Sequence, residues 1–470
     1  VSSAPSSSLG ARLGAPVDIA SLAVFRIGLG AILAWEVVRY FDRGWIARYW
    51  IRPEFHFTYY GFHWVRPWPG IGMYVHFAAL GVLALGIALG WHYRICAALF
   101  AVGFIYVFLL EQATYQNHMY MLCLLGILLP FLPLHRAWSL DAARNPRLRS
   151  QIVASWVLWV LRAQIGIVYV FGGIAKLSGD WLRGEPMRMW LAKRTSFPVI
   201  GPLFAHEPTV WFFTYGGLLL DLLIVPALLW RPTRPFAFVA AMSFHLLNAQ
   251  LFQIGIFPWF MLAATGLFFD PGWPRWLCGG KSIAPELRAG RVTEAAWTPR
   301  HVFAASLLGL FFGVQILLPF RHHLYPGDVN WTEEGHLFSW HMKLRDKRVV
   351  EAEFVLRNGS GDTLRVVEAR KILPRWMRNR VMSRPDLVHQ LAIALAEHER
   401  RRGHRDVRVH ALVRGSLNGR APQLLVDPDV DLAAQPRNLR PAAWILPLRD
   451  PTLQGRARSA SGSGEQHEGE

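Results

Sequence analysis

Cysteine, acidic side chains and charge of any sign are all scarce in this chain. Cysteine occurs three times in 470 residues, as Cys96, Cys123 and Cys278, and Asp and Glu together number 32. The three cysteines lack metal-ligand spacing, and two of them fall inside apolar runs, which argues against a zinc site and against a disulfide scaffold. Charged residues make up 17% of the chain, against about 25% for an ordinary soluble domain. No nucleotide-binding glycine loop, flavin motif or metal-ligand cluster is visible, so the metal-site expectation is none. No repeat of fixed period emerges either.

What is abundant is apolar surface. Hydrophobic residues reach 53%, with 21 Trp and 29 Phe. The long runs are Ile19–Val38, Ile71–Leu89, Ile95–Leu110, Met119–Leu134, Val153–Phe171, Val210–Leu229, Phe236–Leu247, Phe257–Phe269 and Val302–Leu318. A helix needs roughly 20 apolar residues to cross a bilayer, so these runs predict about nine crossings. Phe236–Leu247 and Phe257–Phe269 are short for the task, and would be re-entrant or extended through polar neighbours. The expected fold class is mostly α: a polytopic transmembrane helical bundle with a small C-terminal α+β domain. The first 18 residues are rich in Ser, Gly and Ala, and the run after them is too long for a signal-peptide core, so it reads as a true span.

The formal charge is +18. It is spread over connecting segments and the C-terminal part, which suits anionic lipid headgroups. No compact basic helix or base-stacking module points to nucleic acid. The arginines of alternate loops balance closely across the membrane, so positive charge sets orientation only weakly. Nine spans with a cytoplasmic N-terminus would put the C-terminal domain on the non-cytoplasmic side.

Along the chain, residues 1–14 read as a flexible N-terminus and 15–320 as the membrane domain. Tyr49–Pro69 is crowded with Trp, Tyr, Phe and His, a composition suited to the headgroup layer, and would fold over the bundle as a lid or interfacial helix. Residues 321–445 predict a small domain: strands at Val349–Leu356, Leu364–Val367 and Val407–Val413, Gln423–Val426 as a partner strand, and an amphipathic helix over Pro385–Arg400 capped by Ser383. The tail, 446–470, has a disorder-type composition.

Several polar groups stand where lipid would be. Arg26 is mid-span and must face the bundle interior, where Glu36 and Asp221 are candidate partners by depth. A packing-locking ion pair and a site role both fit it. Tyr115-Gln116-Asn117-His118 opens the fourth run; His118 and Tyr115 can share a helical face, and Asn117 points about 100° away from His118. His245 and Asn248 share a face in an otherwise apolar helix, as an interhelical network or as the lining of a polar cavity. Lys176 follows Gly172-Gly173-Ile174-Ala175 at the edge of a span. The glycines permit close helix approach or local unwinding, which would leave the lysine in a protein-lined pocket. There a desolvated amine can serve as a base. The competing reading is an ion pair with Asp180 one helical turn on, and Asp180 could equally cap the segment that follows.

Taken together these stretches resemble the vitamin K-dependent gamma-carboxylase family, including its bacterial relatives. The resemblance rests on Phe25-Arg26-Ile27-Gly28-Leu29-Gly30, Tyr115–Tyr120, Gly173-Ile174-Ala175-Lys176-Leu177 with Asp180-Trp181, the run from His245 to Pro258, and Trp331-Thr332-Glu333-Glu334-Gly335-His336 followed by Phe338-Ser339-Trp340-His341-Met342. It implies a multi-pass protein of the bacterial inner membrane. It also implies an activity in which reduced vitamin K (the hydroquinone) is deprotonated and oxygenated to an epoxide. The basic oxygenated species then removes a γ-proton from a glutamate-containing peptide or protein, and the carbanion adds CO2; O2 and CO2 are co-substrates. Carried onto this sequence, the quinol-activating base is Lys176. His118 would act in proton transfer or charge stabilisation and Asn117 would orient the quinol, with Tyr115, His245, Asn248 and Arg26 as further quinol-binding residues. The implied partners are membrane lipid, the quinol and the glutamyl substrate, with no nucleic acid. The animal enzymes have a larger lumenal part that engages a substrate propeptide, where here only the small domain over 321–445 follows the last span, and a disulfide joining it to the membrane part, for which Cys96, Cys123 and Cys278 give no obvious equivalent. A quinol oxygenase without carboxylation and a non-enzymatic membrane scaffold remain the alternative readings.

Overall fold

The computed structural model describes residues 9–252, 254–280 and 298–449. Of the expected terminal segments, 1–14 and 446–470, residues 1–8 and 450–470 lie outside them, and Leu9–Gly14 forms a short helix. Among the described residues, six helices are long and apolar enough to cross a membrane. They are α1 (Ala20–Asp42), α2 (Gly72–Leu89), α5 (Ser155–Ala175), α6 (Glu207–Leu229), α7 (Arg234–Phe252) and α9, whose helical stretch runs Pro299–Leu317 and continues to Leu324 as a tighter coil. Three shorter apolar helices, α3 (Tyr93–Leu109), α4 (Asn117–Leu128) and α8 (Phe257–Thr265), fill the remaining expected positions. Phe236–Leu247 is thus the middle of a longer helix that runs through Asn248 and Gln250, whereas α8 stays too short to span.

A helix satisfies its own backbone hydrogen bonds within one segment, which is why the long apolar runs become helices such as α1 and α2. Large apolar side chains remain outside, such as Val82 and Leu85 on α2 and Leu307 and Leu310 on α9. That is the surface of a bundle solvated by hydrocarbon. Inside, α1 meets α2 backbone to backbone at Gly30. A Cβ there would stand 2.5 Å from the Ala88 nitrogen and 2.8 Å from the Ala84 oxygen. Gly30→Ala is expected to cost about 1–3 kcal/mol through forced helix separation. A lowered thermal midpoint in detergent checks it, against Gly309→Ala, where the added methyl meets nothing within 4 Å.

Arg26 is fully buried, and its partners are neither Glu36 nor Asp221. Its guanidinium donates to the carbonyls of Leu134 (3.2 Å), Ile87 (2.8 Å), Ala88 and Trp138. The carbonyls left over at the end of α2 and in the turn after α4 supply the acceptors a carboxylate was expected to give. Glu36 pairs with Arg39 instead.

A two-stranded ribbon, β1 (Pro16–Asp18) with β2 (Ile152–Ala154), ties the start of α1 to the start of α5. The C-terminal part is an antiparallel sheet in the order β4-β3-β5-β6, formed by β3 (Lys347–Arg357), β4 (Thr363–Glu368), β5 (Arg408–Leu417) and β6 (Gln423–Leu424). Helix α10 (Pro385–Arg401) covers one face, burying Leu387, Val388 and Ala392 with Phe354, Leu356, Val409 and Val413. Ser383 does not cap this helix; it ends the preceding short helix, and α10 starts at Arg384 with Pro385 in its first turn. Asp386 accepts from Gln112 (2.9 Å) and Arg437 (3.0 Å) instead of from a capping serine.

The membrane and C-terminal parts interlock. Phe57 and Ala113 of the membrane loops sit in the C-terminal core, while Trp340 belongs to the membrane core. The Tyr49–Pro69 stretch, after a short wide turn over Ala47–Ile51, docks on the C-terminal part, with Thr58 N donating to Gln390 at 2.9 Å. Glu111, fully buried in the same seam, accepts from Ala113 N at 2.9 Å. Burial drives its carboxyl above the usual range.

Lys347 is buried at the root of the sheet. It donates to the Trp331 carbonyl and lies 3.7 Å from Glu333, which also pairs with Arg345 at 2.9 Å and Arg384 at 3.6 Å. Three cations share one carboxylate, and burial lowers the Lys347 amine to about 7 from its ordinary 10.5. Between those values the unfolded chain holds a proton that the folded chain does not, so stability of this part rises as pH goes from about 7 toward 10.5. Lys347→Met is expected to flatten that rise, read from hydrogen-exchange protection of β3 and β5 across the same pH range.

Candidate functional site

The last turn of α5 carries Gly172 and Gly173, and α6 lies directly on them. A Cβ at Gly173 would stand 2.6 Å from Leu222 Cδ2, and one at Gly172 would stand 3.2 Å from Asp221 Oδ2 and from Met342 Cε. The glycines therefore serve close approach, with α5 remaining helical to Ala175 and Lys176 as its C-cap. The approach brings Asp221 to Lys176. The amine donates to the Asp221 carboxylate and to the Gly172 carbonyl at 3.1 Å, with Lys176 at 6% and Asp221 at 5% exposure. The Trp181 ring lies 5.4 Å from the same nitrogen and is fixed by a 3.0 Å bond from Nε1 to the Thr214 carbonyl.

Asp180 is not the partner of Lys176. Its carboxylate is held by Arg420 through two 2.7 Å bonds and by Asn418 at 2.8 Å, all from the end of β5 and the turn after it. A residue one turn from Lys176 is thereby clamped by the C-terminal domain.

Lys176 and Asp221 form part of the wall of a cavity of about 650 Å³ between α6 and α7. The rest of the lining is mostly apolar and aromatic, including Val168, Phe213, Phe244 and Met261, with Tyr169, Thr233, Ser243, His245 and Asn248 as polar exceptions. Phe212, Leu223 and Phe236 also line it and are exposed on the outside of the bundle, so the cavity communicates with the lipid-facing surface. The Tyr169 hydroxyl lies 2.7 Å from His245 Nε2, while His245 Nδ1 is buried with no protein partner among the described residues. A large apolar space with a few convergent polar groups is the usual form of a small-molecule site.

The sequence-derived residues divide into three places. Lys176, His245 and Asn248 meet at the cavity. His118 stands behind Phe257, whose ring centroid is 5.9 Å from that of His118 and 6.2 Å from that of His245. Asn117 and Tyr115 lie outside the lining and hold the 338–341 segment. The Tyr115 hydroxyl donates to Asn117 Oδ1 (2.9 Å) and accepts from Phe338 N (2.7 Å), and Asn117 Nδ2 donates to the His341 carbonyl (3.1 Å). Arg26, engaged with its four carbonyls, is not among the lining residues. The cavity residues that sequence reading did not place there are Asp221, Tyr169, Trp181, Met342 and Lys343. A carboxylate in mid-span made Asp221 conspicuous; its partner was not inferable from spacing.

Among the described residues no cluster of His, Cys, Asp and Glu could hold a metal ion. Compared with known families, residues 15–273 match the HTTM domain, and residues 300–451 match the lumenal domain of vitamin K-dependent gamma-carboxylase. No solved structure matches the chain.

Proposed function

Since this chain belongs to the vitamin K-dependent gamma-carboxylase-like, HTTM-type family, we propose that it couples oxygenation of a reduced vitamin K-type quinol to carboxylation of peptide glutamate. The observation that carries the proposal is the placement of a buried amine, Lys176, in the wall of a lipid-accessible, aromatic-lined cavity. The quinol, once deprotonated and oxygenated, supplies the base that takes the glutamate γ-proton.

Lys176 is the base for the quinol. The pair accepts the quinol's hydroxyl proton as a unit: Lys176 passes a proton to the Asp221 carboxylate and takes up the quinol's in its place. The Tyr169–His245 pair and Asn248 orient the oxygens of the ring. His118 takes part in moving the proton onward once Phe257 swings aside. Tyr115 and Asn117 act through the 338–341 segment, which seats Met342 against the Lys176 turn. Water exclusion by the apolar walls protects both the strong base and the carbanion. In this reading the C-terminal domain faces the non-cytoplasmic side of a bacterial inner membrane and presents the glutamyl substrate.

Purified protein in lipid nanodiscs tests the proposal when given reduced vitamin K, labelled bicarbonate and a glutamyl peptide. Epoxide and peptide-bound label are expected together. Absence of epoxide from folded wild-type protein overturns the reading, and epoxide without label reduces it to a quinol oxygenase.

A further inference from the structure

Three charged side chains line the cavity: Lys176, Asp221 and Lys343. The first two neutralise each other. Lys343 belongs to the segment by which the C-terminal part enters the bundle, where Trp340 is buried in the membrane core and Leu344 packs with Trp181 and Leu191. Its ammonium lies 5.2 Å from the Phe252 ring centroid and 5.8 Å from that of Trp190, and its side chain remains exposed. Among the described residues, no carboxylate pairs with it. The acidic neighbour three residues on, Asp346, already accepts from Lys193 at 3.3 Å and Arg348 at 2.7 Å.

The backbone is bent to make this placement. Phe338, Trp340 and Lys343 have φ of 62°, 58° and 49°, the left-handed region that side chains avoid. Such conformations persist where surrounding packing dictates them, and they cluster at ligand sites. An amine held over two rings, in a cavity with one uncompensated positive charge, is arranged to receive an anion whose remaining surface is apolar.

We infer that Lys343 is the carboxylate receptor of the cavity and selects an acidic peptide side chain entering from the C-terminal domain. The inference rests on the proposed glutamyl carboxylation and assigns the group that recognises the glutamate. Entry from that side follows from position. Lys343 lies in a loop, Trp190 in the short helix Met187–Ala192 outside the long spans and Phe252 at the end of α7, while the lipid-facing wall is built from Leu219, Leu223 and Phe236 within α6 and α7.

The test is a binding measurement made without quinol, so it stands apart from any failure of the oxygenation chemistry. Full-length protein in nanodiscs is titrated with a fluorescent pentapeptide carrying glutamate at its centre between leucines, and with its glutamine counterpart. Wild-type protein is expected to prefer the glutamate peptide by about tenfold or more. Lys343→Met, similar in length and uncharged, should erase the preference, and Lys343→Arg should restore most of it. Thermal midpoints confirm that both variants fold. Equal binding of the two peptides by wild-type protein, no binding of the glutamate peptide, or a preference that survives Lys343→Met overturns the assignment. So does Lys343-dependent binding of oleate without binding of peptide, which would make the receptor one for a lipid carboxylate.

Discussion

Lys176→Ala is expected to lower quinol epoxide formation by about 10²–10⁴-fold, the usual contribution of a positioned general base. Alanine also strands the Asp221 carboxylate in an apolar wall, and losing one partner of a buried ion pair costs about 3–5 kcal/mol. Loss of activity in that variant alone would therefore be ambiguous. The combination Lys176→Met with Asp221→Asn separates the causes, because it removes both charges and preserves most of the volume. It should melt closer to wild-type protein than either single variant and still form no epoxide. A folded double variant with wild-type epoxide rates would dismiss Lys176 as the base. Asp221→Asn alone should be the least stable of the set, since it leaves the ammonium without its carboxylate.

The second large effect is expected far from the cavity. Arg420→Met should destabilise the protein by about 3–5 kcal/mol, because Asp180 keeps only Asn418 as a buried partner. The same change should reduce epoxide formation. Asp180 begins the short helix that carries Trp181, and the Trp181 ring lies 5.4 Å from the Lys176 nitrogen. Asp180→Asn should behave similarly, and the double variant should lose no more than the worse single one, since contacting residues share one interaction. Additive losses in thermal midpoint and epoxide rate would show that the two residues do not work as a pair. In the proposed reaction this clamp would give the C-terminal domain its part in the chemistry, because it fixes the turn that follows Lys176.

How much of this was legible in the sequence depended on the range of each interaction. Membrane spans announce themselves through length and composition, so the helices emerged near their expected positions. The ends moved where polar residues continue a helix, as in α7 through Asn248 and Gln250. Lys176 was conspicuous because two glycines and an amine stood at the end of an apolar run. Its partner was not, because Asp180 is near in sequence and Asp221 is near only after α6 packs on α5. Arg26 shows the same limit. Its four acceptors are carbonyls, and any residue type carries one, so no pattern marks them. Ser383 had the right residue type for a cap, but Pro385 started the helix on other terms. No sequence pattern marks Lys343, and only the insertion of residues 338–344 into the bundle places it at the cavity.

In the proposed reaction, one buried amine starts chemistry that ends on a glutamate. Its most direct test is to quantify epoxide and peptide-bound labelled carbon in the same reaction, with wild-type protein and with Lys176→Met/Asp221→Asn. Both products are expected from wild-type protein, label only when the glutamyl peptide is present, and neither product from the double variant. Folded wild-type protein that makes neither product, or a folded double variant that still makes epoxide, would contradict it.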